Sequence, residues 1–389
     1  MPAVAPFSNH LPVRIKFGDG VARELGTIVA AEGAETAVVI VDAGLEDQSP
    51  AVAAAIATIE AAGVELVRHI KEAGEPTHNA VDVAAEVIRA ADAGVLVAIG
   101  GGSVLDTAKA ARLCLQQNMA FSDFLQSDRT YEEPVLPLIA VPTTAGTGSE
   151  VSGGAVVTDE ATERKAGIAH PTLRAQYALV DPELTYSVPP KITAYTGIDA
   201  LAQAVAGMIA KCRTPIGDGI ALEATTLIGG SLVRAYRDGS DHDARSAMAC
   251  GSMMAGLTMN LSDCAAEHSL AQAIGGEFHA PHGLTIGLVF AEVLEREAEH
   301  VPEQLERVAD ALGVSDDGSG DGSRTVRAVR EMLRELDFPV LSSLGVTDED
   351  LDRLTALAKA DYFITQAPVP WTDDEIRAAF SRALAMENR

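Results

Sequence analysis

The first half of the chain alternates short apolar runs with segments whose apolar residues recur at helical spacing. Val13–Phe17 reads as a short strand, followed by a helix over Val21–Ala31. Thr36–Val41 (TAVVIV) predicts a buried strand ending at Asp42, and Pro50–Ala62 a helix. Val64–His69 is another strand, and Ala80–Ala91 is helical after Pro76 and Thr77. Val95–Ile99 runs into Gly100-Gly101-Gly102, with a helix beginning near Ser103. Leu136–Val141 is one more strand, and it enters a Gly/Thr-rich turn. Alternation of this kind predicts a parallel sheet covered on both faces.

The pattern changes near Asp181-Pro182. Beyond Pro189-Pro190 the chain is Ala-rich with helical periodicity, as in Ile192–Lys211 and Ala244–Leu261, and has almost no strand signal. Gly318–Ser323 (GSGDGS) predicts an exposed loop between helices, and Thr372–Glu375 after Trp371 reads as a capping box opening the last helix. The expected architecture is α/β plus all-α: an α/β domain over residues 1–185, then an all-helical domain over 186–389.

A length of 389 residues also favours two domains. Only 4% of residues are aromatic, so Ala, Val, Ile and Leu must fill the interior. The charge is lopsided, with 56 acidic against 29 basic side chains and a formal net charge of -27. Nucleic acid and anionic membranes are poor partners for such a surface. The acidic excess is spread along the chain, and Lys is scarce, as at Lys16, Lys109 and Lys165. We read it as the surface of a salt-adapted cytoplasmic protein, since salt screens self-repulsion. Cys114, Cys212, Cys250 and Cys264 are far apart with no CxxC pair, and are expected to be reduced. The start of the chain has no signal-peptide pattern, and no uninterrupted apolar run suggests a membrane span.

Three groups of residues carry candidate chemistry. Gly100-Gly101-Gly102-Ser103 leaves a buried strand and opens a helix, where close backbone approach and free N–H groups favour a diphosphate. The same segment also fits a plain tight turn, and its spacing is not GxGxxG. Pro142–Glu150 (PTTAGTGSE) leaves another strand at what should be the same carboxyl edge of the sheet. Asp42 ends an earlier strand; there it is either a turn carboxylate or a ribose acceptor that favours NAD over NADP. In the helical half, Asp199 and Gln203 share a helix face, His268 lies in an Ala-rich helix, and His282 begins Pro281–Gly283's helix. A carboxylate, an amide oxygen and two imidazoles suit a divalent metal, although each residue singly has a structural reading.

Four motifs then occur in the right order: Gly100–Lys109 (GGGSVLDTAK), Pro142–Glu150, Gly197–Leu201 (GIDAL) and Pro281–Gly283 (PHG). In these the chain resembles the iron-containing (group III) alcohol dehydrogenases over nearly its whole length. The resemblance implies a Rossmann-like nucleotide-binding domain followed by a helical metal-binding domain of dehydroquinate-synthase-like fold, with the active site in the cleft between them. It places Gly101, Gly102 and Ser103 at the diphosphate, Thr143, Thr144 and Thr147 along the nucleotide, Asp106 and Lys165 near the cofactor, and Asp42 at the adenosine ribose. Asp199, His268 and His282 match three metal ligands, and they serve as the catalytic set. Gln203 stands where the family commonly has a fourth ligand, His, and Gln272 where it commonly has a further active-site His. His279 and Glu267 are read as neighbours without a catalytic role.

The expected reaction is reversible hydride transfer between NAD(H) and a small alcohol or aldehyde, with a divalent Fe or Zn polarising the alcohol oxygen. The protein is expected to form a homo-oligomer, a dimer or larger. A related polyol or glycerol dehydrogenase, or a hydroxyacid–oxoacid transhydrogenase, is the alternative within the fold. A non-catalytic NADH-binding protein is the alternative outside catalysis.

Overall fold

The computed structural model describes residues 6–128, 130–131, 136–160 and 164–385, leaving the side chains of 159 and 164–166 outside the description. The chain divides into two compact units, the first Leu11–Val188 and the second running from Pro189 and including the N-terminal residues up to His10.

The first unit contains eight strands: β1 (Arg14–Phe17), β2 (Thr36–Asp42), β3 (Glu65–Lys71), β4 (Val95–Gly100), β5 (Leu138–Pro142), β6 (Gly154–Asp159), β7 (Arg164–Ala169) and β8 (Tyr177–Val180). Six form one sheet in the order β1-β8-β5-β4-β2-β3, and every pairing in it is parallel. The apolar runs of β2, β4 and β5 send alternate residues to opposite faces, as a strand's two-residue period requires. Val38, Ile40, Leu96, Ala98, Leu138 and Ala140 share one core with Val81, Ile88, Val104 and Leu105 of two helices, His78–Ala90 and Gly102–Gln117. Ala37, Val39, Val41, Val95, Val97, Ile99, Ile139 and Val141 share the other with Leu25, Ile28, Val52, Ile56 and Ile59. Each fully buried Val or Ile contributes about 1.5–3 kcal/mol over its exposed state.

The antiparallel pair β6–β7 and the four-residue β8 are not legible in the pattern of the sequence. Among the described side chains of the pair only Ala155, Val157 and Ile168 are buried, so no continuous apolar run marks it.

Among the described residues the second unit contains helices and no strand. Pro190–Ile209 is almost wholly buried, and packs against Pro215–Arg237 and His242–Ser262. Small residues make this closeness possible. A Cβ on Gly197 would lie 2.2 Å from Leu232 Cδ1, and one on Gly207 would lie 1.9 Å from Thr258 Cγ2. Pro190–Ile209 and Pro215–Arg237 are long and apolar enough to cross a membrane by length and composition, although charged residues interrupt both. The first is a core helix of the bundle, interrupted on its buried side by Asp199 and Gln203. The loop around Gly318–Gly322 joins Pro302–Ala311 to Ser323–Glu335, as its composition indicated. The capping box is also present: Glu375 N donates to Thr372 Oγ1 at 3.3 Å, and Thr372 N donates to Glu375 Oε2 at 2.7 Å.

Candidate functional site

In the first unit the chain goes from β2 outward to β3 and returns across β2 to β4, so strand order reverses between β2 and β4. Such a switch point leaves a crevice at the carboxyl ends of the two strands, where open α/β sheets take ligands. Asp42 ends β2 and Gly100 ends β4 there. Asp42 Oδ2 lies 3.5 Å from the Gly101 N–H that donates to it, and a Cβ on Gly100 would sit 2.9 Å from that oxygen. Burial raises the Asp42 pKa, with Lys71 pulling it back.

The helix Gly102–Gln117 starts at Gly101 with no side chain capping it. Its first N–H groups therefore face outward from a glycine turn, which is the geometry that favours an anion. β5 runs beside β4 with Pro142 opposite Gly100, and Thr143 N donates to Gly100 O at 3.0 Å. The two polar turns are thus adjacent. A Cβ on Gly102 would lie 2.6 Å from Thr147 Cγ2, and one on Gly101 would lie 3.5 Å from Thr144 Oγ1. Thr143 is buried, while Ser103, Thr144 and Thr147 are half-buried.

Asp106 takes a structural task in this unit. Its Oδ1 accepts from Ser149 Oγ at 2.6 Å and its Oδ2 from Val156 N at 2.9 Å, so both oxygens face protein donors. Lys109 is fully buried, donating to Ser149 Oγ at 2.8 Å and Gly154 O at 2.7 Å, and burial brings its pKa down to about 8. Burial likewise pushes the Glu150 carboxyl up to about 7. Together these residues tie the helix, the second turn and β6. Lys165 lies on β7, and its side chain is outside the described residues.

In the second unit Asp199 and Gln203 project from one turn of Pro190–Ile209, both buried. His268 comes from Ala266–Phe278, and His282 is the first residue of His282–Ala298. Gly283 explains the last placement, because a Cβ there would stand 2.3 Å from Tyr195 O on the helix that carries Asp199. Asp199 Oδ1 lies 3.8 Å from His268 Nε2 and 3.6 Å from His282 Nε2. One ligand atom from each of these three residues falls within 4.8 Å of the others. Asp199 Oδ1 is buried and accepts no hydrogen bond, and burial pushes this carboxyl up to about 6, partly offset by His268 and a hydrogen bond from Gln203. Gln203 Oε1 is a second buried oxygen without a donor. Buried oxygens left this way are costly, and a cation among two imidazoles would satisfy them. The donor set therefore fits a divalent metal.

Two neighbours touch the His268 ring. Glu267 is buried, and its Oε1 lies 2.8 Å from His268 Nδ1. Cys264 Sγ lies 3.6 Å from His268 Nε2, and burial pushes its thiol up to about 11. Burial opposes a charge on His268, but Cys264 and Glu267 outweigh it and hold its pKa well above the ordinary value. Helix periodicity gave no signal for Glu267, since adjacent residues do not share a face. His279, by contrast, is an exposed C-cap with φ 50°, and it is not in the ligand cluster. Gln272 lies one turn beyond His268 on the same helix.

Comparison with known proteins covers both units. The family model described as iron-containing alcohol dehydrogenase matches residues 12–182, and its C-terminal counterpart matches residues 193–384. The chain belongs to the iron-containing alcohol dehydrogenase family. The relatives in that family include an enzyme named as NAD-dependent, and the Asp199 cluster offers the donors that a divalent metal needs. It is 34% identical over 357 residues to choline dehydrogenase of Bacillus subtilis, covering 90% of this chain and 89% of that one. It is 32% identical over 379 residues to the NAD-dependent methanol dehydrogenase of Bacillus methanolicus, covering 96% and 99%. An archaeal halo-thermophilic alcohol dehydrogenase from a Red Sea brine pool shares its fold with a TM-score of 0.90 at 29% identity, over 97% of this chain and 99% of that one.

Proposed function

We propose that Asp199, His268 and His282, with the Gln203 amide oxygen beside them, hold the divalent metal of a dehydrogenase acting on small alcohols and aldehydes. The observation that carries this reading is the buried Asp199 Oδ1, which accepts no hydrogen bond and faces both imidazoles. When bound, an iron or zinc ion at this place polarises the alcohol oxygen and lowers its pKa, and NAD supplies the hydride acceptor. Asp199 contributes the one formal charge among the four ligands, Gln203 a neutral and weaker donor, and the two imidazoles fix direction.

In the first unit Gly101, Gly102 and Ser103 receive the diphosphate on backbone N–H groups, and Thr143, Thr144 and Thr147 line the nucleotide. Asp42 accepts from the adenosine ribose and repels a 2′-phosphate, which favours NAD. Asp106 acts one layer back, by holding Ser149 and β6 behind the second turn. The relatives' names include choline, methanol and long-chain-alcohol dehydrogenases, and within that range our reading is a small alcohol and its aldehyde.

The wider setting is part of the same reading: a cytoplasmic, salt-adapted homo-oligomer that binds neither nucleic acid nor membrane. The net charge of -27 supports the salt adaptation, as does the likeness to a halo-thermophilic enzyme. The edge strand β1, with Ile15 and Phe17 exposed, supports assembly. Initial rates with NAD over a panel of short alcohols and polyols, in high and low salt, test the proposal. Metal-dependent oxidation of at least one alcohol is expected. NADH binding with no turnover in any metal-loaded form would leave a nucleotide-binding protein instead.

A further inference from the structure

We infer that Glu267 is a positioning residue for the metal ligand His268, an inference that rests on the metal reading of the Asp199 cluster. Ala265 is the N-cap of the helix Ala266–Phe278, so Glu267 stands in its first turn, where a side chain can fold back on the helix start. It does so here. Oε1 accepts from Ala265 N at 3.0 Å and lies 2.8 Å from His268 Nδ1. Both side chains are nearly inaccessible, with Glu267 at 1% and His268 at 4% relative exposure, so water does not compete for the contact.

A carboxylate accepts only, so Nδ1 carries a proton, and with a metal bound Nε2 would be the ligating nitrogen. Nε2 is the nitrogen beside Asp199 Oδ1, 3.8 Å away, with Cys264 Sγ at 3.6 Å. Carboxylate, imidazole and metal in line is a recurring arrangement that fixes the ring and strengthens the nitrogen as a donor. The Phe363 ring, 5.5 Å from the His268 ring, also borders the imidazole. The arrangement has a chain-specific purpose. Gln203 supplies an uncharged amide where an imidazole would bind more tightly, and a better-oriented His268 offsets that loss.

The test uses full-length protein freed of metal, with Zn2+ affinity read by competition against a chromophoric chelator. Glu267→Ala removes the acceptor, whereas Glu267→Gln keeps an oxygen within reach of Nδ1 but loses the charge. Glu267→Asp keeps the charge on a shorter arm and serves if the Ala variant is insoluble. Glu267→Ala or Glu267→Asp is expected to weaken Zn2+ binding by about 10–100-fold, and Glu267→Gln to recover most of it. NADH affinity should be the same in all forms. Zn2+ affinity within twofold of wild type in both Glu267→Ala and Glu267→Asp would overturn the inference, as would a Gln variant no better than Ala. Wild-type protein that binds no Zn2+ would overturn the metal reading itself, a result distinct from either.

Discussion

The two ligand-binding regions are built from opposite materials. The sheet edge of the first unit is made by backbone: a glycine turn without a side-chain cap, a second turn laid against it, and threonines filling the space that glycine leaves. The cluster of the second unit is made by side chains from three helices, gathered around one buried carboxylate. The first kind is tolerant of side-chain identity but not of added volume. The second tolerates little change in donor chemistry, and the two should therefore fail separately.

The largest separation comes from the helical cluster. His268→Ala should abolish alcohol oxidation and empty the metal site while NADH binding stays within about twofold, since no residue of the glycine turns is touched. Wild-type turnover in this variant would remove the functional distinction between the regions.

The converse change is Gly102→Ala. The new methyl would meet Thr147 at 2.6 Å, and overpacking of this kind costs about 1–3 kcal/mol. NADH affinity should fall by about tenfold or more, with metal content unchanged. Gly101→Ala, whose nearest neighbour would be 3.5 Å away, should cost much less. Equal losses in the two variants would mean that the Gly102–Thr147 contact is not what shapes the turn.

This contrast also explains what the sequence disclosed. Backbone-built sites need a contiguous run of glycines after a strand, so Gly100–Ser103 and Pro142–Glu150 were legible by local pattern, as were β2, β4 and β5 by their apolar runs. Residues 199 and 203 share a helix face, but 268 and 282 are distant in sequence, so donor chemistry only suggested the group and resemblance strengthened it before the helices joined three of them in space. Glu267 escaped because its contact depends on the helix start rather than on helical spacing. Asp106 was expected near the cofactor, and its hydrogen bonds to Ser149 and Val156 were not legible in the sequence. The β6–β7 hairpin and β8 escaped because neither forms a long apolar run.

A smaller effect sharpens the cofactor side. Asp42→Ser should narrow the NAD-over-NADP ratio of kcat/KM by about tenfold or more, as expected when a carboxylate no longer repels a 2′-phosphate. An unchanged ratio would leave Asp42 as a turn residue holding Gly101 N.

The smallest effect concerns pH. Burial raises the Glu150 pKa from 4.5 to about 7, so the folded state favours its protonated form. Its stabilising contribution is complete below the unfolded pKa and is lost as pH rises through about 7. Glu150→Gln should therefore gain stability relative to wild type between about pH 5 and 8, measured as the difference in denaturant midpoint. A constant difference across that range would contradict the burial argument.

The central claim is that the second unit's side chains hold a metal independently of the nucleotide turns. Elemental analysis tests it most directly, on wild type and His282→Ala purified side by side in concentrated salt without chelators or a metal-binding tag. The account predicts about one iron or zinc per wild-type chain and almost none in the variant. Equal metal in both proteins, or a wild type that is metal-free and cannot be reloaded, would contradict it.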